Sequence, residues 1–139
     1  MAIRGATAKS MSFDRAGKTF VAVQGAKAAA PKEWNAFITA FEEQLSEVSS
    51  LLIFSAGASI DIREREQLER LLTRGRLRVA VLTDSKVVRG AVTALSWFKI
   101  PIKSFAENEV ELALDHIRVQ KADRARVYTT LAQLKAALL

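Results

Sequence analysis

The chain has 139 residues, half of them hydrophobic and 26% charged, the make-up of one globular domain with a core of its own. It has no cysteine, which excludes disulfides, thiolate metal sites and a cysteine nucleophile. The net charge of +6 gathers at the two ends, with six Lys or Arg against Asp14 and Glu33 in residues 1–33 and four against Asp123 in residues 120–139. That is a solubilising excess rather than a basic recognition surface, and no specific nucleic-acid partner is expected.

Residues 1–10 are small and polar and are expected to be disordered. Met11 and Phe13 alternate with serines, Asp14 to Lys18 is turn-like, and Phe20 to Val23 is apolar, so residues 11–24 read as a β-hairpin ended by Gly25. A loop leads to Pro31, which suits the first turn of a helix. Through that helix Trp34, Phe37, Ile38, Phe41, Leu45 and Val48 form a buried stripe. Leu51 to Phe54 is a buried strand, and Ser55 to Ser59 is a loop of small residues. The next helix, IREREQLERLLTRG, has Ile62, Leu68, Leu71 and Leu72 as its apolar residues and Gly75 as its C-terminal cap.

The stretch from Arg78 to Phe105 organises the chain. Val79 to Leu82 is a strand buried on both faces. Thr83-Asp84-Ser85 offers N-cap oxygens to a helix whose Val88, Ala91, Val92, Leu95 and Phe98 share one face. Gly90 in that helix is expected to allow close contact with the sheet, and Trp97 is expected in the core. Pro101 breaks the helix and Ile102 opens another strand. After Phe105 come acids suited to a helix first turn, a largely apolar helix to Ile117, and an amphipathic tail with Val127, Leu131, Leu134 and Leu138 on one stripe. The order is hairpin, then α-β-α-β-α-β-α-α. It predicts an α/β fold with a mainly parallel sheet, an N-terminal antiparallel hairpin strand, helices packed on the sheet and an extra C-terminal helix.

Residues 11–118 resemble the SpoIIAA-like proteins, relatives of the STAS domain. The resemblance rests on WNAFITAFEEQLSEVSSLLIFSAG, RVAVLTDSKVVRGAVTALSWF and IKSFAENEVELALDHI, while residues 119–139 lie outside it. It implies a β-α superhelix and a non-enzymatic, bacterial regulatory module that binds a partner protein; the wider fold also resembles lipid carriers. Antagonists in the family carry a phosphorylated hydroxyl in an Asp-Ser-Ser/Thr-Gly motif. The corresponding place here reads Ser59-Ile60-Asp61-Ile62-Arg63, with Ile62 at the hydroxyl position and no glycine, so the switch is expected to be absent.

Ligands of open α/β sheets gather at the carboxyl ends of the strands. Those ends supply a candidate binding rim of Ser55, Gly57, Ser59, Asp61, Thr83, Asp84, Ser85 and Arg89, competent for a small anion if the helix dipole contributes and otherwise explained by capping. Ser85 with the single histidine, His116, forms no recognisable hydrolase motif, because the Gly-x-Ser-x-Gly elbow is missing. No catalytic residue, metal or cofactor is expected. Two readings follow. One is a regulatory module acting by protein contact; the other is a carrier or sensor of a small, partly apolar or anionic ligand, favoured by a pocket at Trp34, Phe37, Trp97 and Phe98. The tail stripe requires a cover, either the chain's own body or a second copy, and a homodimer through this helix is the favoured arrangement. With no long apolar run and no apolar centre in MAIRGATAKSMS, the expected location is the cytoplasm, without a membrane span.

Overall fold

The computed structural model describes residues 10–97 and 99–138. Five strands, β1 (Met11–Ala16), β2 (Thr19–Gln24), β3 (Ser50–Ser55), β4 (Arg78–Leu82) and β5 (Ile102–Phe105), form one sheet in sequence order. β1 and β2 are antiparallel and the other pairings are parallel. The helices are α1 (Pro31–Glu43), α2 (Ile62–Gly75), α3 (Lys86–Ser96), α4 (Val110–His116) and α5 (Lys121–Leu138). None of them is long and apolar enough to cross a membrane. Residues 1–9 and Phe98, on which two of the expectations above fall, lie outside the described residues. Ser10 is tied down: its backbone N–H and hydroxyl both donate to Glu33 Oε1, at 2.6 and 3.1 Å.

Parallel strands laid down in sequence order and joined by crossovers of one hand place every connecting helix on the same face. α1, α2 and α3 accordingly share one core with Phe20, Ala22, Leu51, Val79 and Val81. The opposite face, with Val21, Val23, Leu52, Phe54 and Leu82, packs on α4 and α5. The alternation Phe20/Val21/Ala22/Val23 thus feeds two cores, which is why β2 is buried along its whole length. Phe13, Phe20, Trp34, Phe37 and Phe41 form a continuous ring cluster with neighbouring centroids 5.2 to 6.0 Å apart. Leu45 and Val48 belong to this core although α1 ends at Glu43.

The C-terminal helix docks on the chain's own sheet. α4 is short and covers β4 and β5, and α5 lies across β1 and β2. Val127 and Leu131 are buried there, with Leu134 and Leu138 partly buried beside them. Ser12 Oγ donates to the Leu134 carbonyl at 3.0 Å, and Lys135 Nζ sits 4.3 Å from the Phe54 ring centroid. The stripe expected to pair with a second copy is therefore spent inside the chain, because α4 alone leaves half of this sheet face bare.

α4 and α5 are also latched by polar groups. Arg124 bridges Glu111 and Asp115 at 2.7 and 2.8 Å, and the Tyr128 hydroxyl donates to Glu111. The Tyr128 hydrogen bond, followed by Arg124, holds the Glu111 carboxyl below its usual 4.5. A lowered acid contributes stability that is present above its unfolded pKa and is lost as pH falls through the folded one. Tyr128→Phe is thus expected to lower stability slightly at neutral pH and to leave it unchanged in strong acid. The effect is small because the latch is exposed to solvent and salt. Urea midpoints of both proteins across the acid range check this.

Three sequence expectations are corrected here. Trp97 is 77% exposed, because α3 turns its Val88-Val92-Leu95 side to the sheet and Trp97, its C-cap, falls on the other side. Trp97→Ala is accordingly expected to change stability by no more than about 0.5 kcal/mol, read as an unchanged melting temperature. Gly90 is exposed, and a Cβ there meets nothing within 4 Å, so it makes no close approach to the sheet. Gly90→Ala should stabilise by about 0.5–1 kcal/mol in urea unfolding by restoring helix propensity. Gly75 is the last residue of α2 rather than its cap. Arg76, at φ 54°, takes the left-handed position and donates its N–H to the Leu72 carbonyl. A Cβ at Gly75 falls 2.7 Å from Leu45 Cδ1, so a larger residue there requires the Leu45 side chain to move.

Candidate ligand site

The first strand-end loop opens with Ser55, whose side chain lies on the α1–α3 face because it continues the Leu51-Ile53 alternation. Ser55 Oγ accepts from Gly57 N–H at 3.2 Å, and the Ser55 carbonyl accepts from Thr83 Oγ1 at 2.9 Å. Thr83 Oγ1 in turn accepts from Ser85 N–H, and Ser85 Oγ caps α3 through Val88 N–H at 3.3 Å. Arg89 bends back one turn and donates Nη2 to the Thr83 carbonyl at 3.0 Å. These groups form a connected hydrogen-bonded chain across the ends of β3 and β4.

The two rim carboxylates are engaged elsewhere. Asp61 accepts from Glu64 N–H at 2.7 Å while Glu64 Oε1 accepts from Asp61 N–H, a reciprocal capping box at the start of α2. Asp84 Oδ1 accepts from Glu107 N–H and ties the β4 end to the loop after β5. Ile62, at the place of the family's hydroxyl, is 66% exposed. Rim hydrogen-bonding capacity is thus largely used in building the rim.

Ser85 and His116 are not brought together. His116 Nε2 lies 3.2 Å from the Pro101 carbonyl, and its own carbonyl accepts from Arg78 Nε. Both contacts are at the amino ends of β4 and β5, whereas Ser85 follows the carboxyl end of β4. A five-residue strand separates the two by roughly 17 Å. Burial lowers the His116 pKa, with the Pro101 hydrogen bond opposing it. Among the described residues no three His, Asp or Glu groups are placed to hold a metal.

Behind the rim, between the sheet and the α1–α3 layer, lies a cavity of about 100 Å³. Its floor is Ala22, Ile53, Val81 and Ile102 of the sheet, and its walls include Trp34 and Phe37 of α1, Leu68 of α2, and Val88, Val92 and Leu95 of α3. Ala58, Ser59 and Ile60 of the loop before α2, with Val87 and Ala91 of α3, border it toward the carboxyl ends of the strands. Of the rim residues only Ser55 and Ser59 reach it, and Trp97 does not. Among the described residues that line it, none carries a charge.

The polar residue that matters most here is Gln24, which sequence reasoning passed over. It ends β2, directly across from Ser55 in the parallel register, and the Phe20-Ala22-Gln24 alternation points it into the α1–α3 layer. It is 6% exposed, and its amide Nε2 is buried without a hydrogen-bond partner among the described residues. The Trp34 indole N–H is already committed to Gln67 Oε1 at 2.8 Å, so the ring offers the cavity only its apolar surface. A period-two reading of the whole strand through Gln24, instead of the apolar run alone, would have found this residue.

No model of a known protein family matches the chain, and no curated protein does.

Proposed function

We propose that this chain is a non-catalytic module that carries or senses a small, largely apolar ligand held between the sheet and the α1–α3 layer. The observation behind this is the uncharged cavity at the strand ends with the unpaired Gln24 amide beside it. A buried donor without a partner costs about 1–3 kcal/mol, and buried polar groups are otherwise satisfied almost throughout native structures. An arrangement of that cost is explained when a ligand supplies the missing acceptor. The test is native mass spectrometry of protein purified from its own host without detergent. A stoichiometric small molecule, released on unfolding, is the expected result; a bare polypeptide mass counts against the reading.

A second reading, a STAS/SpoIIAA-like regulator acting by protein contact, is favoured by the outer side of α3. Trp97 is 77% exposed there, on the same side of the helix as the exposed Gly90. Such a side suits a partner surface. Ile62, which has no hydroxyl, supports regulation without the family's phosphorylation switch. The two readings share α3, whose Val87, Val88, Ala91, Val92 and Leu95 line the cavity while the side that carries Trp97 is exposed. Co-purification of a stoichiometric protein that Trp97→Ala releases would support the second.

A further inference from the structure

We infer that the cavity selects a neutral ligand of ring or short-chain size that carries a carbonyl-type oxygen, with Gln24 Nε2 as the donor that recognises it. This inference rests on the carrier reading above and specifies its ligand. Size comes from the volume: an apolar cavity of about 150 Å³ accepts benzene, and this one, at about 100 Å³ and partly open at its mouth, takes at most one small ring or a short chain. Charge comes from the lining, which among the described residues contains neither a cation nor an anion. A carboxylate or ammonium entering it would lose its hydration with no counter-charge in the lining, at a cost of several kcal/mol.

The oxygen follows from Gln24 and Ser55. The two residues face each other across β2 and β3, so their side chains leave the sheet about 4.8 Å apart on the same face. Gln24 Nε2 has no acceptor among the described residues. Ser55 Oγ accepts from Gly57 N–H, which leaves its own proton available to donate. A carbonyl oxygen has two lone pairs and accepts from both groups at once. A hydrocarbon of the same shape leaves the amide orphaned, and so does an ammonium group, which can only donate. Only a weak requirement is placed on the rest of the ligand, which contacts aliphatic side chains and the Trp34 and Phe37 rings.

Three probes of nearly equal size separate the possibilities: cyclohexanone, methylenecyclohexane, in which the oxygen is replaced by a CH2 group, and cyclohexanecarboxylate. Dissociation constants are measured by NMR titration for the wild-type chain, for Gln24→Leu and for the length-matched Gln24→Met. Both variants remove an unsatisfied buried amide and are expected to fold at least as well as the wild type. Each should weaken cyclohexanone about tenfold while leaving methylenecyclohexane unchanged or tighter. Cyclohexanecarboxylate should not bind at neutral pH. Equal changes for ketone and hydrocarbon in both variants would remove Gln24 as the recognising group while keeping the cavity. Carboxylate binding as tight as that of the ketone would overturn the neutral class. Failure of all three probes to bind the wild-type chain would overturn the carrier reading itself.

Discussion

Replacing Phe37 by Ala is expected to destabilise the protein by about 3–5 kcal/mol, a large part of the total stability of a domain this size. Phe37 is 1% exposed and sits at the centre of the ring cluster, 5.4 Å from Trp34, 5.9 Å from Phe13 and Phe41 and 6.0 Å from Phe20 by centroids. Its neighbours come from β1, β2 and α1, so no one element can shift to refill the space. The loss is read from the urea midpoint, with the slope held constant. A midpoint within experimental error of the wild type would mean that the aromatic cluster does not hold α1 to the sheet.

Deleting residues 120–139 is expected to abolish cooperative folding. α5 covers the half of the sheet that α4 does not reach, and its removal uncovers Val21 and Val23 of β2 together with Ala16 of β1. On the helix side, Val127 and Leu131 alone account for roughly 3–6 kcal/mol of burial. The truncated chain should aggregate or unfold without a transition in circular dichroism. A soluble monomer that melts cooperatively would show that α5 is dispensable to the body and would return its stripe to a role between copies.

The elements were largely legible in the sequence because each apolar pattern matched one period. Phe20 to Val23, Leu51 to Phe54 and Val79 to Leu82 lack a polar face since both faces of the sheet are covered. The stripe from Trp34 to Phe41 is helical because one side of α1 packs on the rings of β1 and β2. Solvent exposure at helix ends was not legible in the same way. Ile62 and Trp97 are large and apolar, yet each lies at a helix terminus, where the periodic argument has too few neighbours to fix a face. The expectation for Gly90 fails because a glycine in a helix signals either close contact or nothing, and only the packing around it distinguishes them. The tail's four-three-four spacing correctly marked a buried stripe, but a stripe does not say which surface covers it; that depended on α4 being only seven residues long.

The candidate site was half legible. The rule that places ligands at strand carboxyl ends led to Ser55 and Ser59, which do border the cavity. It also led to Asp61, Asp84 and Ser85, whose side chains cap helices or tie loops. Capping residues and ligand-binding residues are the same chemical types in the same places, so spacing alone does not separate them. Gln24 escaped notice because a lone glutamine beside a glycine reads as the end of a strand, and its significance lies in a partner it lacks.

The central claim is that the space between the sheet and the α1–α3 layer, and no other, receives the ligand. Methyl NMR during a cyclohexanone titration tests it most directly, because the two cores carry separate sets of methyl groups. Resonances of Ile53, Leu68, Val81, Val92 and Leu95 should shift saturably, while those of Val21, Leu52, Leu114 and Leu131 on the opposite face stay in place. Saturable shifts confined to the second set, or none in the first at concentrations that fill an apolar cavity, would contradict the account.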